Sequence, residues 1–394
     1  MQIIILLYYF ENKMNENRKI RIFIVAGEPS GDLHGALLIK KLKELHPNIE
    51  FFGIGGKKMQ EEGLNSIIPI KEISVIGFVE VLKKMSVLLK LKKECEKILL
   101  ENKIDCFIPI DYPGFNLKLA KFATLHNIPV YYYIAPQLWA WGKNRWKKLK
   151  NITTELLVVL PFEENYFRSK GINATFVGHP LLDNPKFKFF DEISFDEINN
   201  KRENNLIAFF AGSRKQEIFN NLPFFAETAM VLAKYNPNLK FGFAVSSNVN
   251  ENDFDLLKQK NINYELFYNS NELMLKSKIG VVKAGTSTLE AALLGMNTVV
   301  AYKASKSHYW LGKKLINLDY IALPNILANK EIVPEFIQTN ANPEKLSIAI
   351  QEFLHSKEKC NSQKNEFLNI RKILGNASAS ENAAKIILDR ILIK

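Results

Sequence analysis

Cysteine is scarce: only Cys95, Cys106 and Cys360 occur in 394 residues, far apart and with no Cys-x-x-Cys pair. An odd, scattered set excludes a disulfide framework and a cysteine-based zinc site, and fits a reducing compartment. The six histidines show neither His-x-x-x-His nor His-Glu-x-x-His spacing. No metal and no cofactor is therefore expected. A Gly-x-Ser-x-Gly hydrolase elbow and the Gly-x-Gly-x-x-Gly dinucleotide fingerprint are both missing. No window reaches the roughly eighteen uninterrupted apolar residues of a membrane span. Met1 to Phe10 (MQIIILLYYF) is too short to cross a bilayer, has no basic flank, and reads as a tail ahead of Met14, an alternative start. A soluble or peripheral protein is expected.

Acidic residues are also in deficit, 41 Asp and Glu against 53 Lys and Arg, a net charge of +12. Residues 71–150 hold 15 basic and 7 acidic residues, so this fifth of the chain carries +8. Such a patch suits nucleic acid, an anionic membrane surface or a phosphorylated substrate. The remaining composition, 47% hydrophobic and 24% charged, is that of a globular protein, and the length calls for two domains.

From Ile20, β-rich apolar runs alternate with helix-length amphipathic segments, the pattern of parallel sheets covered by helices. Strands are expected at Ile20 to Ala26, Glu50 to Ile54, Cys106 to Ile110, Val130 to Ile134, Leu156 to Leu160 and Thr175 to Val177. A second series runs through Leu206 to Phe210, Lys240 to Ala244, Tyr264 to Phe267, Ile279 to Val282 and Thr298 to Ala301. The expected α/β architecture has two Rossmann-like domains facing across a cleft, at 20–183 and 206–342. A 1–19 tail, a 184–205 linker and C-terminal helices over 343–394 complete it. Ligands of such sheets bind at the carboxyl ends of strands, so the informative loops follow strands.

The first such loop, Ala26-Gly27-Glu28-Pro29-Ser30-Gly31-Asp32, leads into a helix whose free N–H groups can meet an anion or a sugar hydroxyl; Ser30 and Asp32 also suit a helix cap. In Ile110-Asp111-Tyr112-Pro113-Gly114-Phe115-Asn116, Asp111 ends an apolar strand, where a carboxylate can act as general base. Ala211-Gly212-Ser213-Arg214 offers backbone donors, a hydroxyl and a guanidinium fork, a set suited to a diphosphate. Gly285 and Thr286 open a helix that can receive phosphate, and Glu290, one turn on, can reach a ribose diol. Asp253-Phe254-Asp255 matches a metal-binding Asp-x-Asp but reads as a helix cap. His179, near the domain junction, suits either chemistry or hinge packing.

The densest aromatic and basic stretch, Ala135 to Lys148, includes Gln137 and Trp139 and suits stacked bases, a lipid interface or a sugar. Upstream, Phe78, Val81, Leu82, Met85, Leu88, Leu89 and Cys95 recur at helical spacing, widened by Val79, Val87 and Leu91, with Lys83, Lys84, Lys90, Lys93 and Lys97 on other faces. This is either a core helix with a solvated lysine face or a helix lying on an anionic membrane.

Taken in order, nine motifs resemble those of the lipid-A-disaccharide synthase family: GEPSGD (Gly27 to Asp32), VIGFVEVL (Val75 to Leu82), IDYPGFN (Ile110 to Asn116), PQLWAW (Pro136 to Trp141), LPFE (Leu160 to Glu163), VGHP (Val177 to Pro180), GSR (Gly212 to Arg214), GTSTLE (Gly285 to Glu290) and LPN (Leu323 to Asn325). Ala211 stands where a Pro often precedes GSR, and Lys283 with Ala284 where small residues are common. The resemblance implies an inverting, metal-independent glycosyltransferase of the two-domain GT-B fold. It would join 2,3-diacylglucosamine, carried on UDP, to 2,3-diacylglucosamine 1-phosphate in lipid A synthesis, on the cytoplasmic face of the inner membrane. Asp111 would be catalytic. Gly212, Ser213, Arg214, Gly285, Thr286, Glu290 and Asn325 would hold UDP, and Glu28, Ser30, Asp32, Asn116, Gln137 and Trp139 the acceptor sugar. Phe78, Val79, Val81, Leu82, Met85, Leu88 and Leu89 would meet an anionic membrane surface. No nucleic acid partner is implied; a homodimer is a further expected partner. The alternatives are another UDP-sugar enzyme of this fold, of the peptidoglycan N-acetylglucosaminyltransferase or UDP-N-acetylglucosamine 2-epimerase type, and a basic nucleic-acid-binding protein.

Overall fold

The computed structural model describes residues 18–69, 85–139, 145–184, 187, 197, 200–246, 248–260, 262–304, 318–375 and 378–392. The chain forms two compact units, Met1–Asp183 with Asn376–Lys394, and Asn184–Gly375. In the first, β1 (Ile20–Ala26), α1 (Pro29–Leu45), β2 (Ile49–Gly55), α2 (Lys57–Glu61), β3 (Leu64–Pro69) and α3 (Met85–Glu101) are followed by β4 (Cys106–Ile110), α4 (Pro113–Leu125), β5 (Tyr131–Tyr133), β6 (Glu155–Val158), α5 (Pro161–Arg168) and β7 (Ala174–Phe176). The sheet is parallel throughout, in the order β3-β2-β1-β4-β5-β6-β7. The central strand β4 is buried at every position and its neighbour β1 at every position but Arg21, which is why they read as largely apolar runs.

The second unit contains β8 (Glu203–Phe210), α6 (Lys215–Tyr235), β9 (Lys240–Ala244), β10 (Tyr264–Phe267), α7 (Ser270–Lys276), β11 (Ser277–Val282) and α8 (Thr286–Leu293). It continues with β12 (Asn297–Tyr302), α9 (Leu323–Ala328), β13 (Glu335–Ile337), α10 (Pro343–His355) and α11 (Lys357–Leu374). Its parallel sheet runs β10-β9-β8-β11-β12-β13. Phe209 on β8 stacks on Phe243 of β9, centroids 4.9 Å apart, at the heart of this core.

Three expectations need correction. Two strands, β3 and β13, do not stand out in the sequence. Both are sheet edges, one ending in a proline whose missing N–H costs nothing there, the other only three residues long. β8 starts at Glu203, inside the stretch read as linker, and β5, β6 and β7 are shorter or shifted by a residue. The C-terminal helices also divide. α10 and α11 belong to the second unit, whereas α12 (Ala379–Leu392) packs on α1 in the first. Asp183 anchors that return: its carboxylate oxygens accept the Ala379 N–H at 2.8 Å and the Ser380 N–H at 2.7 Å, satisfying free donors at the helix start.

None of the three cysteines forms a disulfide and all are buried, and burial pushes the Cys95 thiol up to about 12. Among the described residues no helix is long and apolar enough to cross a membrane. No group of three or more His, Cys, Asp or Glu able to hold a metal occurs among them either. Asp253 accepts the Asn250 N–H at 2.9 Å in a capping box, as the cap reading expects.

Candidate active site

The candidate site of the first unit centres on the turn after β4. Asp111 and Tyr112 both adopt left-handed backbone, φ +42° and +50°. For residues other than glycine this costs about 1 kcal/mol or more each, so surrounding bonds must hold it. The Asp111 N–H donates to Tyr133 O at 3.2 Å. Its carbonyl accepts the Tyr132 hydroxyl at 2.7 Å and the Asn116 amide at 2.8 Å, from side chains on residues with no exposed surface. Tyr112 then lies across Gly27, where an added Cβ would fall 2.3 Å from its ring. The glycine of GEPSGD is thus required by the tyrosine of IDYPGFN, and the two loops lock together.

Asp111 keeps an open edge to solvent. Protein on its other sides nevertheless strips water from the carboxylate and pushes it up to about 6; the charge of Glu28 adds to the rise and the Tyr112 N–H opposes it. A carboxylate tuned towards neutrality and fixed at a strand end is suited to removing a hydroxyl proton.

Other expected residues fare differently. Glu28 occupies the N-cap of α1 without a side-chain cap bond, and Ser30 and Gln137 are exposed. Asp32 is a correction. Rather than facing a sugar or capping its own helix, it is 7% exposed and accepts the N–H groups of Gly56, Lys58 and Met59 at 2.8, 3.3 and 3.0 Å, capping α2. Asn116 is likewise internal: its amide nitrogen donates to the Asp111 and Ile110 carbonyls, while its buried Oδ1 has no hydrogen-bond partner among the described residues. The Trp139 indole N–H is taken by Glu163 Oε1 at 2.8 Å, and its half-buried ring stands edge-on to Phe162 and packs against the core. Glu163 itself is fully buried, which pushes it up to about 7 against bonds from Trp139 and the Leu160 and Val159 N–H groups. His179 accepts the Leu181 N–H at 3.2 Å, and burial, helped by His34, lowers it to about 3, so it stays neutral and internal.

In the second unit, Gly212 (φ +132°) makes the turn between β8 and α6, with Ser213 and Arg214 exposed beside it. Gly285 and Thr286 are exposed at the start of α8, and Thr288 Oγ1 donates to Gly285 O at 2.8 Å. Asn325 is the second correction. Its amide donates to Val333 O and Glu335 Oε1 at 2.7 and 2.9 Å and accepts the Ile332 and Val333 N–H groups at 2.8 Å each. All four of its hydrogen-bonding positions are filled by the chain, so it staples the loop after α9 instead of reaching a nucleotide.

Four residues of these sites escape sequence reasoning: Tyr132 and Glu163 in the first unit, Glu217 and Lys283 in the second. The last two form an ion pair at 2.8 Å between the first turn of α6 and the loop after β11. The sequence signals are Lys283, a long cation at a strand end where the family it resembles often has a small residue, and Glu163, which closes the LPFE motif.

The membrane-helix expectation falls partly outside the described residues, which omit Phe78, Val79, Val81, Leu82 and the Met85 side chain. Within α3, Leu91, Cys95 and Leu99 are core, Leu88 packs against that core, and Val87 and Leu89 remain 43% and 53% exposed.

The whole chain can now be compared with known proteins. Solved structures of a UDP-GlcNAc 2-epimerase from Neisseria meningitidis and of the glycotransferase of kitacinnamycin match it at TM-score 0.62 each, with 15% and 16% identity, covering 95% of this chain and 100% of theirs. At that identity they establish the two-domain α/β fold alone. Among curated sequences, the lipid-A-disaccharide synthase of Geobacter sulfurreducens is 34% identical over 380 residues, 96% of this chain and 99% of the relative. That of Saccharophagus degradans is 36% identical over 382 residues, 95% and 97% respectively. The epimerase and nucleic-acid alternatives are accordingly not favoured. A family model described as lipid-A-disaccharide synthetase matches residues 22–389, and the chain belongs to that family.

Proposed function

We propose that this enzyme moves 2,3-diacylglucosamine from UDP-2,3-diacylglucosamine to the 6-hydroxyl of 2,3-diacylglucosamine 1-phosphate, releasing UDP and a β-1,6 disaccharide. Family membership supports the substrates. The observation that carries the mechanism is the raised Asp111 carboxylate, held on a clamped turn. Asp111 takes the acceptor hydroxyl proton as that oxygen bonds to the anomeric carbon and the bond to UDP breaks. Ser213, Arg214 and the amides at Gly285 and Thr286 receive the charge on the departing diphosphate, and Glu290 holds the ribose. Residues 20–183 serve the acceptor and 206–342 the nucleotide, with Glu28, Ser30, Gln137 and the Trp139 ring lining the sugar.

The exposed Val87 and Leu89, in a lysine-rich helix, favour a peripheral position on the anionic inner face of the inner membrane. The test is UDP release from UDP-2,3-diacylglucosamine with and without the monosaccharide 1-phosphate. Acceptor-dependent release is expected; release that ignores the acceptor, or none, would sink the assignment.

A further inference from the structure

The loops after β8 and β11 meet at a carboxylate that already occupies anion donors. Glu217 Oε1 is 2.8 Å from the Lys283 ammonium, and Oε2 accepts the Ser213 N–H at 2.9 Å. The absence of a side chain at Gly212 makes room for it: a Cβ there would lie 2.5 Å from Glu217 Cβ and Oε2. The pair is only partly open, with 22% of the Lys283 side chain and 16% of the Glu217 side chain exposed. On its other side the ammonium borders the bare face of Gly285, where an added Cβ would meet only Lys283 Nζ at 3.7 Å and Cε at 4.0 Å. The Lys283 N–H donates to Phe210 O at 3.1 Å, fixing the root of the side chain to the end of β8.

Lys283 therefore stands between Ser213 and the start of α8, the two places assigned to the diphosphate. Its charge is balanced by a carboxylate that bonds to the same loop amide. Burial alone would raise Glu217, yet Lys283, the Ser213 N–H and Arg214 together hold it below the usual carboxylate range. A diphosphate brings more charge and more acceptor oxygens than one carboxylate and wants these same donors.

We propose that Lys283 is a diphosphate-binding residue for the nucleotide donor, and that Glu217 is a resident anion that aims it and yields its donors when the diphosphate arrives. This deepens the reading of the second unit as the UDP site and rests on it. Lysine at this position would supply, from the protein, positive charge opposite the leaving group in addition to Arg214.

The full-length protein, as wild type, Lys283→Met, Lys283→Arg and Glu217→Gln, is titrated calorimetrically with UDP and with uridine. Lys283→Met should weaken UDP about tenfold, the size of one charge-assisted hydrogen bond, and leave uridine unchanged. Lys283→Arg should recover most of the loss. Glu217→Gln, which keeps an acceptor for the Ser213 N–H but removes the competing charge, should bind UDP at least as tightly as wild type. Wild-type UDP affinity in Lys283→Met, or equal losses for UDP and uridine, overturns the lysine's role. Weaker UDP binding by Glu217→Gln overturns the resident anion. A wild-type protein that binds no UDP overturns the underlying nucleotide reading instead, so the two failures are distinct.

Discussion

Replacing Asp111 with Asn separates what its charge does for catalysis from what that charge costs the fold. Asparagine keeps the shape and is, with aspartate, among the residues that best tolerate a φ of +42°, so the turn itself is preserved. The carboxyl is raised from 3.8 to about 6 by burial and then by Glu28. The folded protein thus holds that proton more tightly than the unfolded chain does. The group adds no penalty below about pH 4; the penalty grows as the pH rises and is complete once the folded pKa near 6 is passed. About two pKa units at about 1.4 kcal/mol each would come to about 3 kcal/mol. The open edge of Asp111 lets solvent screen roughly half, leaving about 1–2 kcal/mol. Urea unfolding should therefore show Asp111→Asn more stable than wild type by that amount at pH 8, with the difference vanishing near pH 4. UDP release in the acceptor assay should fall by about a hundredfold or more, the usual contribution of a general base, with UDP binding unchanged. A variant destabilised at pH 8, or one that turns over at a near-normal rate, refutes the reasoning.

Tyr132→Phe deletes only the hydroxyl that bonds the Asp111 carbonyl at 2.7 Å. It should cost about 1 kcal/mol in thermal unfolding and lower kcat several-fold with KM held, a split to be read from steady-state kinetics. Asp32→Ala strips the acceptor from three N–H groups, so a loss of about 3–4 kcal/mol in urea unfolding is expected; unchanged stability with a raised acceptor KM would return Asp32 to the sugar site. Gly27→Ala would drive a methyl into the Tyr112 ring and displace the Asp111 turn, so acceptor-dependent UDP release should collapse while UDP titration of the same sample stays normal.

Much of the fold was legible because burial leaves a local mark. Strands flanked by neighbours on both sides are mostly apolar, as in Cys106–Ile110, and several, such as Ile20–Ala26 and Glu203–Phe210, are followed by a loop of glycine and polar residues that begins a helix. Leu64–Pro69 and Glu335–Ile337 carry no such mark, one being spotted with polar residues and ending in proline and the other only three residues long and half-buried throughout, although the other two edge strands, Ala174–Phe176 and Tyr264–Phe267, were legible. The site divides along the same line. The candidates Asp111, Ser213 and Arg214 are singled out by standing where strands end, a position set by the hydrophobic pattern.

Hydrogen-bond partners are another matter, since a polar side chain in a strand-end loop looks the same whether it faces a ligand or the chain. Asp32 finds its acceptor role 24 residues away at Gly56, and Lys283 meets Glu217 across 66. Asn325 is exhausted by a loop that folds back on it. The amino-acid order by itself determined most of the strands, the loops that follow them and the family; only the tertiary structure decided which polar groups were spent on the chain, because that depends on which distant backbone atoms arrive beside them.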